Sequence, residues 1–229
     1  SAIIVISISH DIQTNHPPVA ADDYKFICAD ANATLNVLQN DNDPDGNAII
    51  SCTVLTGVSH GALINAGFGV YYYTPNTGYS GNDTMTYQIC DNGTTSLCDT
   101  GQAVIFVNPT PVITASASNL TTCSNDSVNV TFSSNVPGTI IYWTGSNGTS
   151  GTGDIHTVLT NTTPVAQVIT YTVVGTSGSG CGSNAITVHV TVNPRPVATA
   201  NVNGNLFCSG DYVVINVSSN VSGTTYTWS

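Results

Sequence analysis

The sequence predicts an all-β chain of tandem β-sandwiches arranged end to end, and three observations predict it. Short segments of alternating polarity recur along the chain, as half-buried strands require. Strong turn signals separate them (Asp45-Gly46, Pro75-Asn76, Ser80-Gly81, Asn92-Gly93), and no stretch carries a capped helical period of 3.6. The third observation is a repeat. Asn108-Pro109-x-Pro111-Val112, Cys123, Ser133-Ser134-Asn135-Val136 and Trp143 recur 85 residues later as Asn193-Pro194-x-Pro196-Val197, Cys208, Ser218-Ser219-Asn220-Val221 and Trp228. A fixed period of domain size marks an array of similar units.

Taken in order, residues 1–15 hold a strand, Ala2 to Ile8, rich in β-branched residues. It reads as the last strand of a preceding domain, followed by a polar link that ends in Pro17-Pro18. Residues 16–108 form a first complete sandwich. In it Tyr72 faces one way and Tyr71 and Tyr73 the other, and Met85, Tyr87 and Ile89 form an inward row. Residues 109–193 form a second, with Ile186, Val188, Val190 and Val192 inward and Thr187, His189 and Thr191 outward. Residues 194–229 open a third. Trp143 and Trp228, at equivalent positions, read as core residues.

Composition narrows the function. Of 229 residues, hydrophobic types make up 41%, enough for modest cores, but only 7% are charged, against about 25% in an ordinary domain. All thirteen acids are aspartate, and Lys25 and Arg195 are the only bases, giving a net charge of −11. No basic patch exists to neutralise phosphates, which excludes nucleic acid as a partner, and none exists to hold an anionic membrane. The apolar start is too short to span a bilayer, so direct membrane insertion is also excluded. Solubility rests on Ser, Thr, Asn and Gly, and trypsin finds little to cut, since Arg195 precedes a proline. With seven cysteines among strands, this points to an oxidising, extracellular setting.

Catalytic constellations are missing. Histidines 10, 16, 60, 156 and 189 are scattered, with no nucleophile elbow, His-Glu pair or paired glutamates beside them, so no catalytic residue is assigned and the chain reads as no enzyme. Zinc is disfavoured because no C-x-x-C spacing occurs. Asp41-Asn42-Asp43-Pro44-Asp45-Gly46 has the D-x-D-x-D-G form of a calcium loop, and alternate carboxylates on a tight loop suit hard Ca²⁺. Three aspartates within five residues also lack any protein counter-charge. An EF-hand is ruled out, because Cys52 stands where its bidentate Glu belongs. The competing reading is a solvated Asp/Asn turn. Cys90 and Cys98 bracket a hairpin-sized span and are expected to form a cross-hairpin disulfide. Cys123–Cys181 and Cys28–Cys52 are expected as bridges within the second and first units, leaving Cys208 to a partner beyond Ser229.

The first unit resembles the cadherin-like repeats of large bacterial surface proteins. The likeness rests on Pro17 to Asp23, Val37 to Gly46, His60-Gly61, Tyr73-Thr74-Pro75, Gly78 to Gly81 and Asp83 to Tyr87. The second and third units resemble the PKD-like, immunoglobulin-like repeats of Bacteroidota surface proteins, often gliding or attachment adhesins exported by the type IX system. They share its Asn-Pro-x-Pro, Cys and Trp frame, with Thr170 to Val173 and Cys181. The resemblance implies Asp22, Asp23 and Asp83 as further calcium ligands beside Asp41, Asp43 and Asp45. It also implies O-glycosylation of Thr84 and Ser127, each preceded by an aspartate. It implies, finally, a stalk on the bacterial cell surface whose partners are neighbouring repeats or copies of itself, with surface glycans or other cells as partners of the whole protein. Two alternatives stay open: a fibre whose subunits complete one another by strand exchange, and an accessory module of a secreted carbohydrate-active enzyme.

Overall fold

The computed structural model describes residues 14–204 and 206–228; the strand expected at Ala2 to Ile8 lies outside them. The described residues contain strands and turns and no helix. The chain divides into two compact units, Ser1–Pro109 and Thr110–Ser229.

The first unit is a sandwich of four and three strands. One sheet has the order β1 (Asp23–Cys28), β7 (Cys98–Asn108), β6 (Gly81–Asp91), β3 (Ile49–Thr56). The other has the order β2 (Ala33–Asn36), β5 (Val70–Pro75), β4 (Gly61–Gly67). The alternation along each strand decides what is buried. Met85, Tyr87 and Ile89 on β6 face Tyr71 and Tyr73 on β5, with Leu35, Val37, Ile105 and Val107 filling the space between. Tyr72, pointing the other way, is exposed. Gly101 lies opposite Tyr87 across β6 and β7, and a Cβ built there would sit 2.7 Å from the Tyr87 hydroxyl oxygen. The missing side chain is what lets that ring lie flat across the strand.

The second unit repeats the plan. A five-stranded sheet has the order β12 (Ser150–Thr152), β11 (Ile140–Gly145), β14 (Gln167–Thr176), β15 (Ile186–Asn193), β9 (Thr121–Cys123). It faces a three-stranded sheet, β13 (Ile155–Leu159), β10 (Asp126–Ser134), β8 (Ile113–Ala117). Val128, Val130, Ile155, Tyr171, Val173, Val188, Val190 and Val192 make the core, with Trp143 packed against it and set edge-on to Tyr171 at 5.6 Å. In both units an early strand pairs in parallel with the closing strand, β1 with β7 and β9 with β15; the neighbouring pairs are antiparallel.

The third copy contributes β16 (Ala198–Val202) and β17 (Ile215–Ser219). Their register reproduces that of β8 and β10 residue for residue. Ile113 faces Ser134 and Ala198 faces Ser219; Ala117 faces Val130 and Val202 faces Ile215. The polar clip is copied too. Val112 N–H donates to Asn135 Oδ1 at 2.7 Å, as Val197 N–H does to Asn220 Oδ1 at 2.7 Å. Thr139 Oγ1 donates to the Val136 carbonyl at 2.7 Å, as Thr224 Oγ1 does to that of Val221.

Burial is not copied. Val130 is fully buried, while its counterpart Ile215 is 58% exposed, and Trp228 is 87% exposed, not a core residue as expected. Among the described residues β16 and β17 form a two-stranded sheet of their own. Val130→Ala is therefore expected to destabilise the chain by about 2 kcal/mol in urea denaturation. A negligible loss would contradict the placement of Val130 in the core of the second unit.

Candidate functional site

The aspartates gather at one end of the first sandwich, around the loop that carries Asp41, Asp43 and Asp45. The six predicted calcium ligands do not meet there. Asp22 Oδ1 accepts the Gln102 N–H at 3.0 Å. Asp43 Oδ1 accepts those of Asp45 at 2.8 Å and Asn47 at 3.1 Å, closing an Asx turn. Asp45 takes the His16 backbone N–H and lies 3.0 Å from the His16 ring nitrogen. Asp83 is buried elsewhere, where its two oxygens accept the Ser59 and His60 N–H groups at 2.8 and 2.9 Å and the Tyr73 hydroxyl at 3.0 Å. Among the described residues no three acidic, histidine or cysteine side chains converge on one point that a metal could occupy. The six-aspartate set does not fit a shared calcium ion, although one oxygen each of Asp41 and Asp43 is buried without a partner.

What does converge is Asp23 and Asp41, on the hydroxyl of Tyr87. That oxygen lies 2.9 Å from the Ala21 carbonyl, 3.1 Å from Asp23 Oδ2, 3.1 Å from the Val37 carbonyl and 3.3 Å from Asp41 Oδ1. A phenol has one proton to donate, so four acceptors compete for one donor. Asp41 also accepts the Ala21 N–H at 2.8 Å. Burial is the main cause that raises the Asp23 carboxyl to about 6; the Tyr87 hydrogen bond opposes it, and the charges of Asp41 and Asp22 add to it. Burial raises Asp41 as well. The same surroundings push the Tyr87 hydroxyl upward, burial first and the two carboxylates after it. The junction holds an excess of acceptors, which a proton on Asp23 would relieve.

Around it stand aspartates that sequence reasoning did not single out. Asp99 Oδ2 accepts the Ala20 N–H at 2.9 Å. Asp91, wholly buried, accepts the N–H groups of Gly93 and Leu97 and the amide of Asn15. Burial pushes the Asp91 carboxyl upward, but those three hydrogen bonds outweigh it and the group lies below its ordinary value. The Asp91-Asn92-Gly93 turn was the available signal. For Tyr87 the signal was a buried tyrosine in a late strand, whose hydroxyl must find a partner.

The cysteines divide. Cys90 and Cys98 lie directly opposite on β6 and β7 and are joined, with Cα atoms 4.1 Å apart. The other two expected bridges are not formed, because Cys52 and Cys123 are free thiols. Cys28 and Cys52 lie on the two outer strands of a four-stranded sheet, three strand spacings or about 14 Å apart, where a disulfide needs Cα atoms within about 7 Å. Cys123 lies beside Asn193 at the end of β15, whereas Cys181 lies in the loop that leads into the start of that strand. The length of β15, about 24 Å, lies between them. Sequence spacing gave the strands but not which end of each carries the sulfur.

Of the two glycosylation candidates, Ser127 is exposed on β10, and its neighbour Asp126 pairs with Arg195. Thr84 is half-buried on a central strand, next to a buried Asp83. His189 is exposed with its Nδ1 3.0 Å from Thr170 Oγ1, and His60 stacks on Tyr79 at 4.4 Å.

Comparison with known proteins agrees with this architecture. Residues 15–105 match the family model of a bacterial Ig domain, and residues 120–196 that of a PKD-like domain. No curated protein matches the chain. Among solved structures it is similar to mouse cadherin-23 EC22-24, at 13% identity over 92% of this chain and 80% of that one, with a TM-score of 0.45. It is also similar to the fibronectin(III)-like modules of Clostridium thermocellum CbhA, at 10% identity over 76% and 91%, with a TM-score of 0.35. A third likeness is a nucleoside hydrolase-related protein of Saccharophagus degradans associated with carbohydrate metabolism. There the identity is 19% over 41% of this chain and 26% of that one, with a TM-score of 0.34, so the match spans about a quarter of that protein.

Two outcomes follow from the site. Asp23 has a raised folded value, so its contribution favours the folded state below the ordinary value of 3.8 and is lost as pH rises through about 6. The melting temperature of the first unit should therefore rise as pH falls from 7.5 to 5, and Asp23→Asn should raise it at pH 7.5 and flatten that slope. Calorimetry across this range checks both. In the same instrument, millimolar Ca²⁺ or a chelator should leave the melting temperature unchanged.

Proposed function

We propose that the chain is a non-enzymatic, extracellular structural segment, a run of repeats in a large bacterial surface protein that holds other parts of that protein away from the cell. The observation that carries this reading is the residue-for-residue copying of β8 and β10 in β16 and β17. A sheet register and its polar clip copied at a fixed offset mean that one module is used again and again. Such reuse supplies length rather than a unique cleft. The matched families, a bacterial Ig domain and a PKD-like domain, are modules of this kind. The Cys90–Cys98 disulfide supports the extracellular setting, since such bonds persist where the medium oxidises.

Surface exposure is the direct test. Brief treatment of intact source cells with a protease of broad specificity should release fragments spanning residues 16–193, while a cytosolic marker stays whole; fragments that appear only after lysis would refute the reading.

A further inference from the structure

The outer face of the four-stranded sheet in the first unit carries a cluster of aromatic rings. Alternation turns Met85, Tyr87, Ile89, Ala103, Ile105 and Val107 into the core, so their neighbours on β6 and β7 stand outward. On the edge strand β1 the outward residues are Tyr24 and Phe26, 62% and 67% exposed. Phe26 lies opposite Phe106 and stacks on it, with centroids 4.6 Å apart and ring planes 9° apart. Tyr24 lies opposite Val104 and reaches the same Phe106 ring at 6.4 Å and 24°. Single exposed apolar residues are ordinary on a protein surface; three rings in mutual contact are a patch.

The rest of that face is polar without charge. Asn82 stands opposite Phe106, Thr84 opposite Val104, and Thr86 opposite Gln102. Outside the ladder, the hydrogen bonds of Asn82, Thr84 and Gln102 among the described residues run through their main chains, so these side chains keep their donors and acceptors free. The charged residues of the sheet, Asp23, Lys25, Asp83, Asp91 and Asp99, all fall in the alternate row, opposite apolar residues of the core. An acidic chain thus presents one sheet face made only of rings, hydroxyls, amides and small apolar groups.

Exposed rings take ligands that offer a flat apolar face, and nucleobases and sugar rings both do. A nucleic acid is excluded by the net charge of −11. A sugar ring carries C–H groups on its faces and hydroxyls around its rim, which matches aromatic rings flanked by uncharged amides and hydroxyls. Size points the same way. The exposed parts of the three rings offer about 300 Å² of aromatic surface, well short of the roughly 800 Å² per partner of a stable protein interface but enough for a few sugar rings. We propose that the Tyr24, Phe26 and Phe106 face is a glycan-binding surface, where a neutral polysaccharide stacks on the rings and hydrogen-bonds through its hydroxyls to Asn82, Thr84 and Gln102. The proposal rests on the extracellular reading above, and it gives a segment read as a spacer a contact of its own with surrounding polysaccharide.

The test is native electrophoresis of the chain in gels cast with soluble polysaccharide: a glucan, a mannan and a galactan as neutral probes, and alginate as an acidic one. At least one neutral probe should retard the chain. Phe26→Ala and Tyr24→Ala, both at exposed positions, should each weaken that retardation at least fivefold while the melting temperature stays the same. Tyr72→Ala, which removes an exposed ring from the other sheet, should leave it unchanged. No retardation by any neutral probe, retardation by alginate alone, or full retardation of Phe26→Ala overturns the proposal. So does self-association in sedimentation that Phe26→Ala abolishes, since the face would then bind a second copy. A chain that is not retarded but passes the surface-exposure test removes the glycan face and leaves the stalk standing.

Discussion

The constraint on which this structure depends is the supply of acceptors to loop backbone. Short strands joined by long connections leave many N–H groups outside any ladder, and those that are buried need partners. With two Lys and Arg residues for thirteen aspartates, few carboxylates are held by ion pairs (Asp126 by Arg195), and most of the others serve the backbone. Asp22, Asp30, Asp41, Asp43, Asp45, Asp83, Asp91, Asp99, Asp154 and Asp211 each accept at least one main-chain N–H. Aspartate suits the task because its carboxylate sits one carbon from the backbone and can close an Asx turn or reach an adjacent loop at small entropic cost. Glutamate, one methylene longer and looser, is absent from the whole chain.

The Tyr87 junction shows the limit of that strategy. Pinning the entry segment by Ala20 to Asp99 and by Ala21 to Asp41 brings two carboxylates and two carbonyls to one hydroxyl. Acceptors then outnumber donors, and Asp23 holds its proton to higher pH. The predicted calcium loop is thus a real concentration of negative charge, but Asp22, Asp41, Asp43, Asp45 and Asp83 each accept main-chain N–H groups of their own.

The fold was legible because its signals are periodic. Alternation on β6 and β15 placed Met85, Tyr87, Ile89, Val188, Val190 and Val192 inward, and all of them are buried. The 85-residue offset identified positions that share a register. The site was less legible, because a ligand set is a statement about three dimensions. Asp83 and Asp41 belong to one sequence pattern but serve different loops. Cys28 and Cys52 share a sheet but lie on its opposite edges, and no spacing along the chain encodes that. The Cys90–Cys98 pair could be read because a hairpin converts sequence distance directly into spatial distance.

The parallel pairing of an early strand with the closing strand carries a consequence of its own. Six residues of β1 run alongside β7 in the same direction, and three of β9 alongside β15. A pull on the two ends of such a unit slides neighbouring strands lengthwise past each other, loading all the bonds between them at once instead of peeling them apart in turn. Resistance to traction then scales with the length of that shared edge, so the first sandwich should yield later than the second.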